Sequence, residues 1–308
     1  MKQKKVNATL IDANEAEKSA NTPSNNLIKQ QPNKTHRTRL VILTVTCIVV
    51  TNTLLVFSSE DLRAVMIDLT AVITSGAALI ACASAIGLGY LRKSVGSVHL
   101  WLLVGLIFWF AAEVTWAYTR QMLGIDLPYP SIADASWIAG YGFLAFYLYK
   151  IMRKITVTNP IDKSLVLLVS VAVSLLLGYV LNLTFGVAEI LGFQEDVLGP
   201  IVSLSYPILD GILLVPSLVI IWSLRKGDPS TFNWVLMSMA FALLAIGDIG
   251  FGYNFALAPI LAEETEWIWA IFYNAGYLCI AFSIIYLLTS DRRLSSNVER
   301  TKDILASP

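Results

Sequence analysis

The feature that most constrains this chain is a series of apolar runs, each close to the length of about 20 residues that a helix needs to cross the hydrocarbon core of a bilayer. They fall at about 39–58, 67–91, 99–119, 133–151, 164–186, 197–223, 232–256 and 266–289. Too little polar alternation runs through them for barrel strands. In lipid, a helix is then the form that satisfies its own backbone donors and acceptors. Composition agrees: 56% of the 308 residues are hydrophobic and 14% are charged. A soluble domain of this size needs more polar surface. The expected fold is all-α and integral to a membrane, with eight transmembrane helices.

Orientation follows from the basic residues. Of the 22 Lys and Arg, 20 fall on one side of this layout: in the N-terminal segment, after spans two and six, between spans four and five, and after span eight. Arg63 and Arg120 alone fall opposite, among Glu60, Asp61, Asp126, Glu189, Glu195, Asp196, Glu263, Glu264 and Glu266. The positive-inside rule then makes both termini cytoplasmic in a multi-pass protein of the cell membrane. The formal net charge of zero hides this polarity and implies no nucleic-acid partner. Residues 1–38, rich in Lys, Asn and Gln, read as a disordered basic cytoplasmic tail. No apolar stretch precedes residue 40, so the tail is not a signal peptide and the first span is retained. The tail either meets anionic headgroups or merely sets topology. Residues 39–289 form the membrane domain, and 290–308 a short cytoplasmic tail.

The chain repeats itself. "AGYGFLAF" at 139–146 returns as "AGYLCIAF" at 275–282, and "LRK" at 91–93 returns at 224–226. Trp101 and Trp234 each stand nine residues after the Arg of that motif, and Glu113-to-Tyr118 matches Asp248-to-Tyr253. The offsets are 133, 133, 135, 135 and 136, which one shift with two small indels explains. This predicts a duplication of four spans, about 39–154 and 164–289. Four is even, so the two repeats are parallel, related by a pseudo-two-fold axis along the membrane normal, with ligand sites expected at their interface.

Four acids lie within the apolar runs. At 1.5 Å per residue, Glu113 and Asp248 sit about 18 and 21 Å from the cytoplasmic edge, and Asp210 and Asp134 about 22 and 24 Å. Carboxylates at such depth cost a few kcal/mol unless neutral, paired or wetted. Aromatic residues flank them at helical spacing. Trp109 and Trp116 share the face of Glu113, and Trp137 and Tyr141 that of Asp134. Tyr273 and Tyr277 stand four apart on span eight. An acid among Trp and Tyr rings is the chemistry of a cation cage. The expected site is therefore an outward acidic and aromatic pocket of Glu113, Asp134, Asp210 and Asp248 with Trp116, Trp137, Tyr118, Tyr141, Tyr253, Tyr273 and Tyr277, open to a small cationic ligand. The alternative is structural: Tyr hydroxyls bonded to buried acids as glue between helices. Asp134 also has a second reading, with Ser131, as a helix cap, and Pro207 places a kink beside Asp210.

Other chemistries find little footing. Cys47, Cys82 and Cys279 all lie within spans, and His36 and His99 stand far apart, so neither a disulfide framework nor a zinc set is expected. No HExxH, GxSxG or P-loop motif occurs. No catalytic residue, metal or cofactor is assigned.

The stretch "GLIFWFAAEVTWAYTRQMLGIDLPYPSIADASWIAGYGF", 105–143, resembles the multi-pass region that precedes diguanylate-cyclase, phosphodiesterase and histidine-kinase modules in microbial signalling proteins. The likeness rests on Glu113–Trp116, Pro130–Asp134 and Gly140–Tyr141, and spans roughly residues 70–290. It implies a sensor. Only 19 residues follow span eight, so signalling would require a separate protein on the cytoplasmic side. "AIGDIGF" at 245–251 is similar to eight-span lysoplasmalogenase-like hydrolases, which implies an intramembrane hydrolase using Asp210 and Asp248. A cation- or proton-coupled transporter is the third alternative. The topology makes a direct prediction: a Cys in place of Glu263 should react with an impermeant maleimide in intact cells. Labelling only after permeabilisation would invert the layout.

Overall fold

The computed structural model describes residues 34–87, 98–124, 130–158, 162–191, 198–224, 232–257 and 259–306; at 34, 156–158, 183–191, 198–200, 203–204, 253–257, 259–264 and 290–306 it describes the backbone alone. Every regular element among these residues is a helix. In chain order they are α1 Lys34–Phe57, α2 Glu60–Gly87, α3 Val98–Met122, α4 Ile132–Thr158, α5 Lys163–Leu191, α6 Leu198–Leu224, α7 Phe232–Leu257 and α8 Pro259–Ala306. Seven are long and apolar enough to cross a membrane, over Thr35–Phe57, Glu60–Gly87, Val98–Met122, Lys163–Asn182, Ser205–Leu224, Phe232–Gly252 and Thr265–Thr289. The protein is an all-α, multi-pass membrane protein.

The remaining helix, α4, carries Asp134 near its start, Lys150, Arg153 and Lys154 near its end, and Trp, Tyr and Gly between. Protein rather than lipid surrounds much of it. Tyr141, Leu144, Tyr147, Leu148, Ile151 and Ile155 are buried, and the helix packs on α3 and α6. A helix wrapped by other helices does not need the uniform hydropathy that a lipid-facing one does.

Two boundaries differ from expectation. Helix α1 begins at Lys34, inside the segment expected to be disordered. Residues there find partners on distant helices: His36 Nε2 lies 2.9 Å from Thr289 Oγ1, and the Arg37 guanidinium stands 4.6 Å over the Phe232 ring. Helix α8 runs 48 residues, so the stretch after 289 continues it. The expected tail at residues 1–33 lies outside the described residues. Pro207 and Pro216 both sit inside α6, which the structure carries through as one helix.

Helices α3, α4, α6, α7 and α8 form the interior, with Leu106, Trp109, Tyr141, Leu213, Phe241 and Tyr277 in one continuous core. Helix α2 closes it against α3 and α8. Helices α1 and α5 lie outside, presenting Ile42, Val45, Val49, Leu167, Leu168 and Leu175 outward as a lipid-facing surface. Glycines set the closest approaches, as small residues do between membrane helices. A Cβ on Gly140 would run into the Trp109 indole and stand 3.2 Å from the Gly105 carbonyl oxygen; one on Gly276 would meet Leu244 and the Ala240 carbonyl. A Cβ on Gly142 meets nothing within 4 Å. Gly140→Ala should therefore destabilise the fold by about 1–3 kcal/mol through overpacking, whereas Gly142→Ala should be neutral or slightly stabilising. Melts of the two variants in detergent check this, and equal melts would show that the α3–α4 approach is not tight.

Candidate functional site

The acids of α3, α6 and α7 meet hydroxyls of α4 and α8 in the interior. Tyr141 Oη lies 2.6 Å from Asp210 Oδ1 and 2.5 Å from Asp248 Oδ2. Tyr273 donates to Asp248 Oδ1 at 2.7 Å. Tyr277 donates to Glu113 Oε1 at 2.8 Å, and the Trp137 side chain is a second donor to Glu113. Helical spacing delivers these groups: Tyr273 and Tyr277 are one turn apart on α8, as are Trp137 and Tyr141 on α4. Trp109 stands edge-on to Tyr141 and Tyr277, at 5.2 and 6.1 Å between centroids, and ties its indole N–H to the Trp137 carbonyl at 3.1 Å. It holds the two phenols apart and in place.

The pattern is reciprocal. Tyr141 of α4 reaches the acid of α7, and Tyr277 of α8 reaches the acid of α3. Each acid takes its second donor from the helix that follows it in sequence, Trp137 for Glu113 and Tyr273 for Asp248. Asp210 is 1% exposed, while Glu113, Asp248 and Tyr273 are half-buried, so the cluster has a closed floor and a more open face. Asp210 Oδ2 is buried without a donor among the described residues. Among those residues no Lys, Arg or His bonds to Glu113, Asp210 or Asp248.

The other expected residues divide. Trp116 tilts over Trp137 at 5.8 Å and belongs to the rim of the cluster. Asp134 caps α4: its Oδ2 accepts from the Ser131 N–H and hydroxyl, both at 2.7 Å, and its own N–H reaches Ser131 Oγ. Its other oxygen accepts from Tyr206 at 2.7 Å, and the Tyr206 ring stands 6.3 Å from Tyr141. Asp134 thus joins the cluster through Tyr206, which the sequence reading did not single out. Tyr118 is 56% exposed and forms no part of the cluster. The Tyr253 side chain lies outside the described residues.

Two further polar groups had gone unrecognised in sequence. Arg120 Nε pairs with Asp68 at 3.0 Å, and its Nη1 forks onto both Glu266 oxygens at 3.0 and 3.1 Å. Gln121 adds a bond to Asp68 at 2.6 Å, and together these tie α2, α3 and α8. The signal was a lone Asp at the edge of an apolar run, one residue inside a boundary placed at 67. Deeper between α1, α2 and α8, Asn274 donates to Asn52 and Thr70 and accepts from Thr74. Among the described residues no group of three or more His, Cys, Asp and Glu is arranged to hold a metal ion.

Fold and site together define a multi-pass membrane protein with a carboxylate–tyrosine cluster enclosed by its helices. No protein-family model, curated protein or solved structure matches the chain. The ion-pair group yields a test that is independent of function. Asp68 is 2% exposed at its side chain and Arg120 22%. Arg120→Ala should cost about 3 kcal/mol by stranding Asp68, and adding Asp68→Asn should recover part of that loss. Additive losses in a double-mutant cycle would mean that the pair is not coupled.

Proposed function

We propose that this protein is a sensor or ligand-binding module of the cell membrane that takes a small cation at the Glu113–Asp210–Asp248 cluster. The observation that carries the reading is the cluster itself. Asp210 and Asp248 lie side by side at Tyr141 with Glu113 near Asp248, two of the three are half-buried, and among the described residues only neutral hydroxyl and indole donors bond to them. Neutral donors spread the negative charge and leave it uncompensated. A cation arriving at the open face would meet carboxylate oxygens at a low effective dielectric, where the attraction is worth a few kcal/mol. The nearby Trp and Tyr rings favour an amine or another weakly hydrated ion.

The site belongs to the interface of two parallel four-helix repeats, with both termini cytoplasmic. The crosswise Tyr141–Asp248 and Tyr277–Glu113 bonds support this, because the sequence offset pairs Tyr141 with Tyr277 and Glu113 with Asp248. So do the helix contacts: α2 with α8 and α4 with α6 are equivalent pairs under that offset, as are α3 with α4 and α7 with α8. Output would pass to a separate signalling protein on the cytoplasmic side, as the likeness of residues 105–143 to sensor regions suggests. A second reading rests on the adjacency of Asp210 and Asp248, which is the arrangement an acid pair needs for hydrolysis. Turnover of a lysophospholipid that disappears in Asp210→Asn would favour it over sensing.

Melting in detergent with sodium, potassium, methylammonium and choline tests the leading reading. At a hundredfold excess over its dissociation constant, a bound cation should stabilise the wild type by about 2.7 kcal/mol. Asp248→Asn keeps shape and hydrogen-bonding capacity and should abolish that shift without lowering the basal melt much. A wild-type melt indifferent to all four ions, with Asp248→Leu strongly destabilised, would leave the cluster as structural glue alone.

A further inference from the structure

Tyr141 presents a counting problem. Its hydroxyl oxygen lies 2.6 Å from one Asp210 oxygen and 2.5 Å from one Asp248 oxygen. Those are separations of O–H···O⁻ hydrogen bonds, and each needs a hydrogen. A phenol has one. If Tyr141 donates to one carboxylate, the contact to the other holds no hydrogen unless that carboxyl supplies it. Two further observations point the same way. The Asp210 and Asp248 carboxyl groups lie within hydrogen-bonding reach of each other, a contact that also requires a proton on one of them. Asp210 Oδ2, on a residue 1% exposed, has no donor among the described residues, so the pair holds more buried acceptors than donors.

Resting on the cation-binding reading above, we propose that Asp210 and Asp248 share one proton across Tyr141, and that the cation enters this site by displacing it. One positive charge arrives and one leaves. The bond broken is the carboxyl O–H; its proton passes to water at the open face, while Tyr141 keeps its own. The cation then bridges the two carboxylates that the proton had bridged.

The groups facing the pair allow this exchange. From α3 comes Glu113, which takes two neutral donors, Tyr277 and Trp137. From α8 comes Tyr273, which donates to Asp248 and brings no positive charge. From α4 the neutral Tyr141 is bonded to the pair, and among the described residues no charged side chain of that helix bonds to it. Helix α5 lays Leu177 and Val173 beside Gly211, next to Asp210. The nearby Arg120 is committed to Asp68 and Glu266. No fixed cation bonded to the pair among the described residues competes with the proton or replaces it.

Two measurements on the full chain in detergent decide the matter. The first is infrared spectroscopy at neutral pH without added cation. The wild type should show a protonated-carboxyl C=O band. Asp210→Asn and Asp248→Asn should each lose it, because a lone carboxylate is satisfied by the proton of Tyr141, and Glu113→Gln should retain it. A wild type without the band, or a band lost only in Glu113→Gln, overturns the shared proton whether or not any variant folds. The second is proton release in weakly buffered solution on adding methylammonium or sodium chloride, at concentrations that shift the melt. About one proton per bound cation is expected, falling to none in Asp210→Asn. A melt shift without release overturns the exchange and leaves cation binding standing. No melt shift with any ion removes both.

Discussion

A polar group inside a bilayer cannot borrow a partner from the solvent, and the arrangement of this protein follows from that restriction. A carboxylate placed mid-helix must bring its donors with it, from another helix, at fixed height and rotation. Here the donors are phenols and an indole carried by α4 and α8. Hydrogen bonds to charged groups contribute about 1.5–3 kcal/mol each, and leaving the acceptor unpaired costs more. Those two helices are therefore held in the interior. Interior position in turn explains why α4 can be rich in Trp, Tyr and Gly, and why Gly140 and Gly276 stand where a side chain would collide with the neighbouring helix. Hydropathy, packing and site chemistry are three consequences of one need.

The same restriction sorts what could be read in the sequence from what could not. Spans were legible because the length of an apolar run is set by bilayer thickness and hardly depends on neighbours. Acids within them stood out because they are costly there, and Trp137, Tyr141, Tyr273 and Tyr277 because they recur at one turn. The Ser131–Asp134 cap was legible as a local motif. Tyr118 shows the limit of matching by repetition. It follows Glu113 by five residues, as Tyr253 follows Asp248, but five residues at 3.6 per turn rotate about 140° away from the acid. A recurrent spacing is not a shared face. Asp68, Tyr206 and Asn274 were missed for a different reason. Each becomes informative through a partner on a distant helix, Arg120, Asp134 and Asn52 respectively, and nothing local to the residue names that partner. The start of α1 at Lys34 belongs here too, since His36 and Arg37 are ordered by Thr289 and Phe232, more than 190 residues on.

Reciprocity has a consequence for assembly. With the tyrosine of each half bonded to the acid of the other, neither half satisfies its own carboxylate fully. Glu113 would keep Trp137, and Asp248 would keep Tyr273, but both would lose the crosswise partner. Joining the halves is thus favoured by polar pairing that lipid cannot supply, in a setting where apolar contact alone gives helices little reason to prefer each other over acyl chains.

The proposed duplication is not perfect at its centre, and the imperfection falls at the proposed binding site. Under the offset of 133 residues that relates the two LRK motifs, Asp210 corresponds to Ala77. Tyr277 consequently has one carboxylate to serve, whereas Tyr141 has two. On one side of the pseudo-axis donors and acceptors balance, and the pairing is complete as it stands. On the other side stands a third acid, Asp210, one of whose oxygens has no donor among the described residues. Its extra oxygen can be neutralised only by a proton or by something that takes a proton's place. An added carboxylate with no added donor is a poor stabiliser. On the proposed reading, its position at the buried floor of the cluster serves binding rather than architecture.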